Sequence, residues 1–166
     1  KGGLEHARYS IERIDNRLIH GQVATQWCGV VGANLLLVAN DAVAKDEFRQ
    51  GLMNMAAPSY AQTRFFTLEK TINIIHKASA NQHIAIICES PQDVLKLVEG
   101  GVPIKKVNIG NMHMSEGKRQ WQLLLLSMMT MLQHSESCRS LVWNSRSNVF
   151  RIHRLKALTS YSNNHK

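Results

Sequence analysis

The chain has 166 residues, 44% apolar and 19% charged, proportions of one domain with its own core and not of a disordered or fibrous polypeptide. No apolar run approaches the roughly 18 residues a membrane-spanning helix needs, and the polar start Lys1-Gly2-Gly3-Leu4-Glu5-His6 lacks the apolar stretch of a signal peptide, so the chain reads as a cytoplasmic protein. The formal net charge of +8 raises a nucleic-acid-binding reading, but residues 1–120 carry 14 Lys and Arg against 11 Asp and Glu, a net of +3, and residues 121–166 carry six against the single Glu136, a net of +5.

Residues 7–14 read as a first strand, with Tyr9 and Ile11 on one face, and residues 22–31 as a helix. The apolar run 34–39 suits a strand buried on both faces, ended by Asn40-Asp41. Residues 45–56 have helical spacing, with Phe48, Leu52 and Met55 on one stripe and Pro58 as the stop. A third strand over 63–67 leads into a helix over 68–78, where Ile72, Ile75 and Ala78 share a face. Residues 83–88 form a fourth strand. Ser90 then serves as an N-cap, with Pro91 at the first helical position of a helix over 91–99 that Gly100-Gly101 ends. A fifth strand covers 106–110. The alternation predicts an α/β fold, an open and mostly parallel sheet with helices on both faces.

Cys28, Cys88 and Cys138 are too few and too scattered for a disulfide framework or a zinc site, and no pair of the eight histidines has ligand spacing on one element. No metal is expected. The chemistry concentrates in residues 13–22, at the carboxyl end of the first strand, where open α/β sheets bind ligands. Phosphoryl chemistry needs positive charge, backbone donors and a nucleophile. Arg13 and Arg17 supply the charge, the helix start supplies the donors, His20 a nucleophilic nitrogen, and Gly21 close backbone approach. A plainer reading stays open: His20 as a cap or packing residue, with the arginines paired to Asp15 and Glu12 on a solvated surface.

Residues 13–23, Arg-Ile-Asp-Asn-Arg-Leu-Ile-His-Gly-Gln-Val, resemble the phosphorylation-site signature of the mannose/sorbose family of IIB components of bacterial sugar phosphotransferase systems. Residues 36–44, 98–102, 107–110 and Gly117-Lys118 match the same family in order, so that the resemblance covers about residues 10–120; within it the N-acetylgalactosamine or galactosamine branch is nearest. The resemblance implies that His20 takes phosphate from a phosphohistidine of a IIA protein, at ring Nδ1, and passes it to a sugar held by a membrane IIC/IID complex. It implies that Arg13 and Arg17 neutralise the transferring group and that Asp15 holds an arginine or the loop. It also implies that Gln22, Asn40, Asp41 and residues 108–113, with Asn108 and Gly110, flank the same crevice. No cofactor and no nucleic acid are implied, the location is the inner face of the cell membrane, and a homo-oligomer is left open.

The family pattern stops near Gln120, which divides the chain into a carrier domain over 1–120, with residues 1–6 as a non-native leader, and an atypical segment over 121–166. That segment has no Gly, Pro or Asp but eight Ser. Its codons point to a shifted reading frame, with a genuinely divergent tail as the alternative. Joining the last base of each codon to the next two makes Met128-Met129 and Met129-Thr130 encode Asp and Trp143-Asn144 encode Glu. The pairs over 141–151 permit Gly-Val-Glu-Phe-Glu-Val-Gln-Arg-Val-Pro, and Ser162-Asn163 permits a stop. An acidic stretch, a helix and a final strand ending in a Val-Pro turn are what the family resemblance implies there. Two rival classes remain. A nucleic-acid module predicts basic residues interleaved with exposed aromatics, yet aromatics are 6%. A metabolite-binding α/β protein predicts a glycine-rich loop after a strand, but Gly100-Gly101 follows a helix.

Overall fold

The structure, a computed structural model, describes residues 8–21, 28–110, 139–144 and 149–154. Its sheet has seven strands in the order β3-β2-β4-β1-β5-β7-β6. β1 (Arg8–Ile14), β2 (Leu35–Ala39), β3 (Gln62–Phe66), β4 (His83–Cys88) and β5 (Lys106–Ile109) are parallel to one another. β7 (Val149–Arg154) pairs antiparallel with both β5 and β6 (Arg139–Asn144).

The central strands read as unbroken apolar runs because helices cover both faces. Side chains alternate between two cores. Leu35, Leu37, Ile84, Ile86 and Cys88 face Leu68 of α3 (Leu68–Ile74) and Val94, Leu97 and Val98 of α4 (Pro91–Glu99). Leu36, Val38, Ala85 and Ile87 face Cys28 of α1 (Cys28–Val31) and Met53 of α2 (Glu47–Ala56). The expected open, mostly parallel sheet with helices on both faces is therefore the fold. α4 starts on a capping box, Ser90 accepting from the Asp93 amide while the Asp93 side chain accepts from the Ser90 amide, with Pro91 at the first turn.

Several boundaries move for identifiable reasons. The helix expected from residue 45 starts at Glu47, since Asp46 is extended and its side chain accepts from the Arg49 amide, after a 3-10 turn over Val43–Lys45. The helix expected over 68–78 becomes α3 and a 3-10 turn, Ile75–Lys77. Residues 22–27 of the expected first helix lie outside the described residues. The stripe of Phe48, Leu52 and Met55 points outward, at 76%, 53% and 85% exposure, and Met53 is the residue of α2 that enters the core. At the end of α4, a Cβ on Gly100 would come within 2.5 Å of Ile72 Cδ1, so glycine lets α3 and α4 approach.

One polar residue stands out in the α3/α4 core. Glu12 of β1 is 2% exposed; its Oε1 accepts a hydrogen bond from the Cys88 thiol at 3.0 Å, and among the described residues its Oε2 has no partner. Burial pushes the Glu12 carboxyl up to about 8 from 4.5, against the pull of the Cys88 hydrogen bond and with a further push from Asp93. Burial, then the Glu12 carboxyl beside it, pushes the Cys88 thiol up as well.

The folded chain thus keeps the Glu12 proton up to about pH 8, whereas the unfolded chain releases it near 4.5. The stability from this site is full below the lower value and is lost as pH rises through the upper one. In urea unfolding the chain is expected to lose stability between about pH 5 and about pH 9 more steeply than its Glu12→Gln variant; parallel curves for the two would contradict this account of the core.

Candidate functional site

The loop after β1 is built around one carboxylate. The Asp15 side chain is fully buried, and its amide continues the β1–β4 ladder by donating to the Cys88 carbonyl at 2.9 Å. Oδ2 accepts from Arg13 Nε at 3.3 Å and Nη2 at 3.0 Å, and Oδ1 accepts from the Arg17 amide at 3.1 Å. The Leu18 amide donates to the Asp15 carbonyl at 2.9 Å, closing a tight turn over Asn16 and Arg17. Leu18 leaves that turn at φ 57 with its side chain wholly buried. A left-handed leucine costs about 1–3 kcal/mol and persists only where its surroundings enforce it. Here Leu18 and Ile19 are anchored in the α1/α2 core.

His20 comes next, and Gly21 takes up helical conformation behind it. Both ring nitrogens of His20 are screened from solvent, and among the described residues neither has a hydrogen-bond partner. Arg13 is half-buried, and besides Asp15 it donates from Nη1 to Asn108 Oδ1 at 2.6 Å, at the end of β5. The Gly110 amide donates to the Ile14 carbonyl at 2.8 Å, so β5 leaves the sheet beside the Asp15 turn. Arg17 is half exposed, with Nε 3.8 Å from Asp15 Oδ1. The site thus combines an imidazole whose nitrogens are unengaged, a pinned arginine and a solvent-facing one. This is the equipment for receiving a tetrahedral anion at nitrogen, by charge and nucleophile. Burial pushes the Cys28 thiol up to about 11, with Arg13's charge pulling the other way, so the thiol offers no competing thiolate.

The strands are parallel, so the neighbouring exits share this rim. Asn40, buried after β2, accepts from the amides of Ala42 at 3.1 Å and Val43 at 2.9 Å and donates to Glu89 Oε2 at 2.7 Å, after β4. Asp41 accepts from the Leu68 amide at 2.9 Å, tying the β2 exit to the start of α3. The sequence gives no signal for Glu89, which sits one residue before a strong N-cap. Of the site residues read from the sequence, Arg13, Asp15, Arg17, Asn108 and Gly110 come together in one cluster, with His20 and Gly21 at the end of the same loop. Asn40 and Asp41 stand further along the rim, and Gln22 and residues 111–113 lie outside the described residues. The plainer arginine pairing needs correction: Asp15 is buried, not on a solvated surface, and Glu12 points into the opposite core toward Cys88. Among the described residues no group of three or more His, Cys, Asp and Glu is arranged to hold a metal, and no helix is long and apolar enough to cross a membrane.

A family model described as the PTS system sorbose subfamily IIB component matches residues 9–129. Over 111 residues, 66% of this chain and 70% of the relative, the chain is 57% identical to the N-acetylgalactosamine-specific phosphotransferase enzyme IIB component 1 of Escherichia coli K12. It is 38% identical over 112 residues, 67% of this chain and 68% of the relative, to the sorbose-specific EIIB component of Klebsiella pneumoniae. The crystal structure of the N-acetylgalactosamine-specific IIB component 1 from Escherichia coli superposes with a TM-score of 0.68 at 48% identity, over 76% of this chain and 87% of that one.

Asp15→Asn would keep the shape of the buried side chain and remove the charge that balances Arg13. Breaking a buried pair from one side costs about 3–5 kcal/mol. Urea unfolding should show a loss of that order, and a loss below about 1 kcal/mol would mean that Asp15 does not hold the loop.

Proposed function

We propose, for a chain that belongs to the sorbose subfamily of phosphotransferase-system IIB components, that His20 is the residue through which the phosphoryl group passes. As a IIB component the chain is a phosphoryl carrier for sugar transport. The observation that carries the assignment to His20 is its placement: it follows the Asp15 turn in the same loop, and among the described residues its two ring nitrogens have no hydrogen-bond partner.

In this reading a ring nitrogen of His20 attacks the phosphorus of a phosphohistidine on the IIA partner. The new P–N bond forms as the old one breaks, and the donor imidazole departs with the bonding pair. At the membrane IIC/IID complex a sugar hydroxyl oxygen then attacks the same phosphorus, its proton passes to solvent, and the His20 imidazole is released. Both steps are in-line transfers in which negative charge spreads over the phosphoryl oxygens. Arg17, half exposed, meets that charge from the solvent side, and Arg13 holds fixed positive charge beneath the loop. Asp15 is their anchor and not a base, because both of its oxygens already accept hydrogen bonds. The transfer needs no metal or cofactor. The identity to an N-acetylgalactosamine-specific IIB component supports N-acetylgalactosamine, or another amino sugar or hexose, as the acceptor. The chain works in the cytoplasm at the inner face of the membrane, and nucleic acid is not a partner.

Residues 1–120 form the carrier domain, and the segment over 121–166 is translated in a shifted frame. The codon pattern supports this, and the family match gives out at residue 129, within the segment. Coding DNA in which no single insertion or deletion near codon 121 restores the family pattern would refute it.

Incubating the chain with phosphoenolpyruvate, the two general phosphotransferase proteins and a cognate IIA should place acid-labile phosphate on the His20 peptide, read by mass spectrometry, and none in the His20→Gln variant. If a phosphorylated IIA leaves the chain unlabelled, the assay is repeated with the reading frame restored after Gln120. Regained label assigns the defect to the tail; continued silence overturns the carrier role.

A further inference from the structure

Glycines in exposed or turning positions of this fold have ordinary reasons. A Cβ on Gly21 or Gly51 would meet nothing within 4 Å, and Gly32 and Gly101 have positive φ. Gly110 fits neither class. Its φ is not in the left-handed region, so its backbone is open to any residue. Yet a Cβ there would overlap Arg13 Nη2 and lie 2.5 Å from Cζ and 2.8 Å from Nε. The three nearest atoms in the way all belong to the guanidinium of one arginine.

We propose that Gly110 is a positioning residue for phosphoryl transfer: its missing side chain is the notch in which the Arg13 guanidinium lies, held against Asp15 at the base of the His20 turn. The proposal rests on the carrier reading and deepens it. A guanidinium at the end of a flexible side chain would ordinarily slide away from an added methyl group at little cost. This one is not free to slide. Nε and Nη2 donate to Asp15 Oδ2, and Nη1 donates to the Asn108 oxygen. Asp15 is wholly buried and also fixed by the Cys88 carbonyl and the Arg17 amide. Gly110 is held in turn by its amide on the Ile14 carbonyl at 2.8 Å. Neither wall of the notch can retreat without breaking a hydrogen bond, so a methyl group must evict the guanidinium. The exit of β5 thus acts through Arg13 on the loop that carries His20, although the arginine and Asn108 stand 95 residues apart in sequence. Arginine, and not lysine, is demanded because only the planar fork spans Asp15 and Asn108 together.

The test is a double-mutant cycle on the full chain, read by the rate of His20 labelling from phosphorylated IIA and by the Arg13 Nε–H resonance. Gly110→Ala is expected to lower kcat/KM by about 100-fold, the scale of a misplaced group in such a site, mainly through kcat, and to shift or broaden the resonance. In an Arg13→Lys background, whose slim side chain leaves the notch empty, the same change should cost less than about 3-fold. Equal costs in the two backgrounds, or an unmoved resonance, would overturn the proposal. Should Gly110→Ala fail to fold, the double variant is expected to fold, and its failure too would refute the notch. If the chain takes no label even with its reading frame restored after Gln120, the carrier reading falls, and the resonance alone decides the role of Gly110.

Discussion

A carboxylate with no access to water must find its compensation within the protein, and that requirement at Asp15 organises the end of β1. Two strong donors from Arg13 and one backbone amide from Arg17 satisfy its oxygens, which fixes where both arginines begin. The turn that brings the Arg17 amide round drives Leu18 into the left-handed region, with its side chain in the core. With Leu18 and Ile19 anchored, His20 has little choice of position. Breaking such a pair from one side costs far more than the pair contributes net. The carboxylate therefore gives geometric definition more than stability, and definition is what a transfer site needs.

The parallel sheet multiplies the effect. β2, β4, β1 and β5 all leave at one edge, so Asn40, Glu89, Asp15 and Gly110 converge there from distant parts of the chain, as open α/β sheets do at their carboxyl ends. The strand's two-residue period keeps adjacent acid and base apart: Glu12 goes to the α3/α4 core with Cys88, and Arg13 goes to the Asp15 and Asn108 cluster. A protonated Glu12 accepting from a thiol belongs to the fold's pH response, and Arg13 to the site.

Much of this was legible in the sequence because the signals were local. Ser90 and Pro91 announce α4, the apolar run at 34–39 announces a strand buried on both faces, that at 83–88 a further strand, and the spacing from Arg13 to His20 marks a strand-to-helix junction rich in phosphate-binding groups. The losses occurred where tertiary contacts decide. Phe48, Leu52 and Met55 have core-like spacing yet lie outward, because helical period says which residues share a face and not which way that face turns. The burial of Asp15 was invisible because its partners, Asn108 among them, arrive through the sheet. Gly110 was placed only as a residue flanking the crevice, and the guanidinium lying over it gives its missing side chain a reason. Glu89 was hidden beside a stronger capping signal.

The central claim is that the phosphoryl group on His20 is in transit. The most direct measurement is a chase: chain labelled on His20 is freed of donors and mixed with membranes carrying the cognate IIC/IID complex, with and without N-acetylgalactosamine. The account predicts that label leaves His20 only when sugar and membranes are both present and appears stoichiometrically as sugar phosphate. Label that stays on the protein with functional membranes, or sugar phosphate formed equally well by a His20→Gln chain, would contradict it.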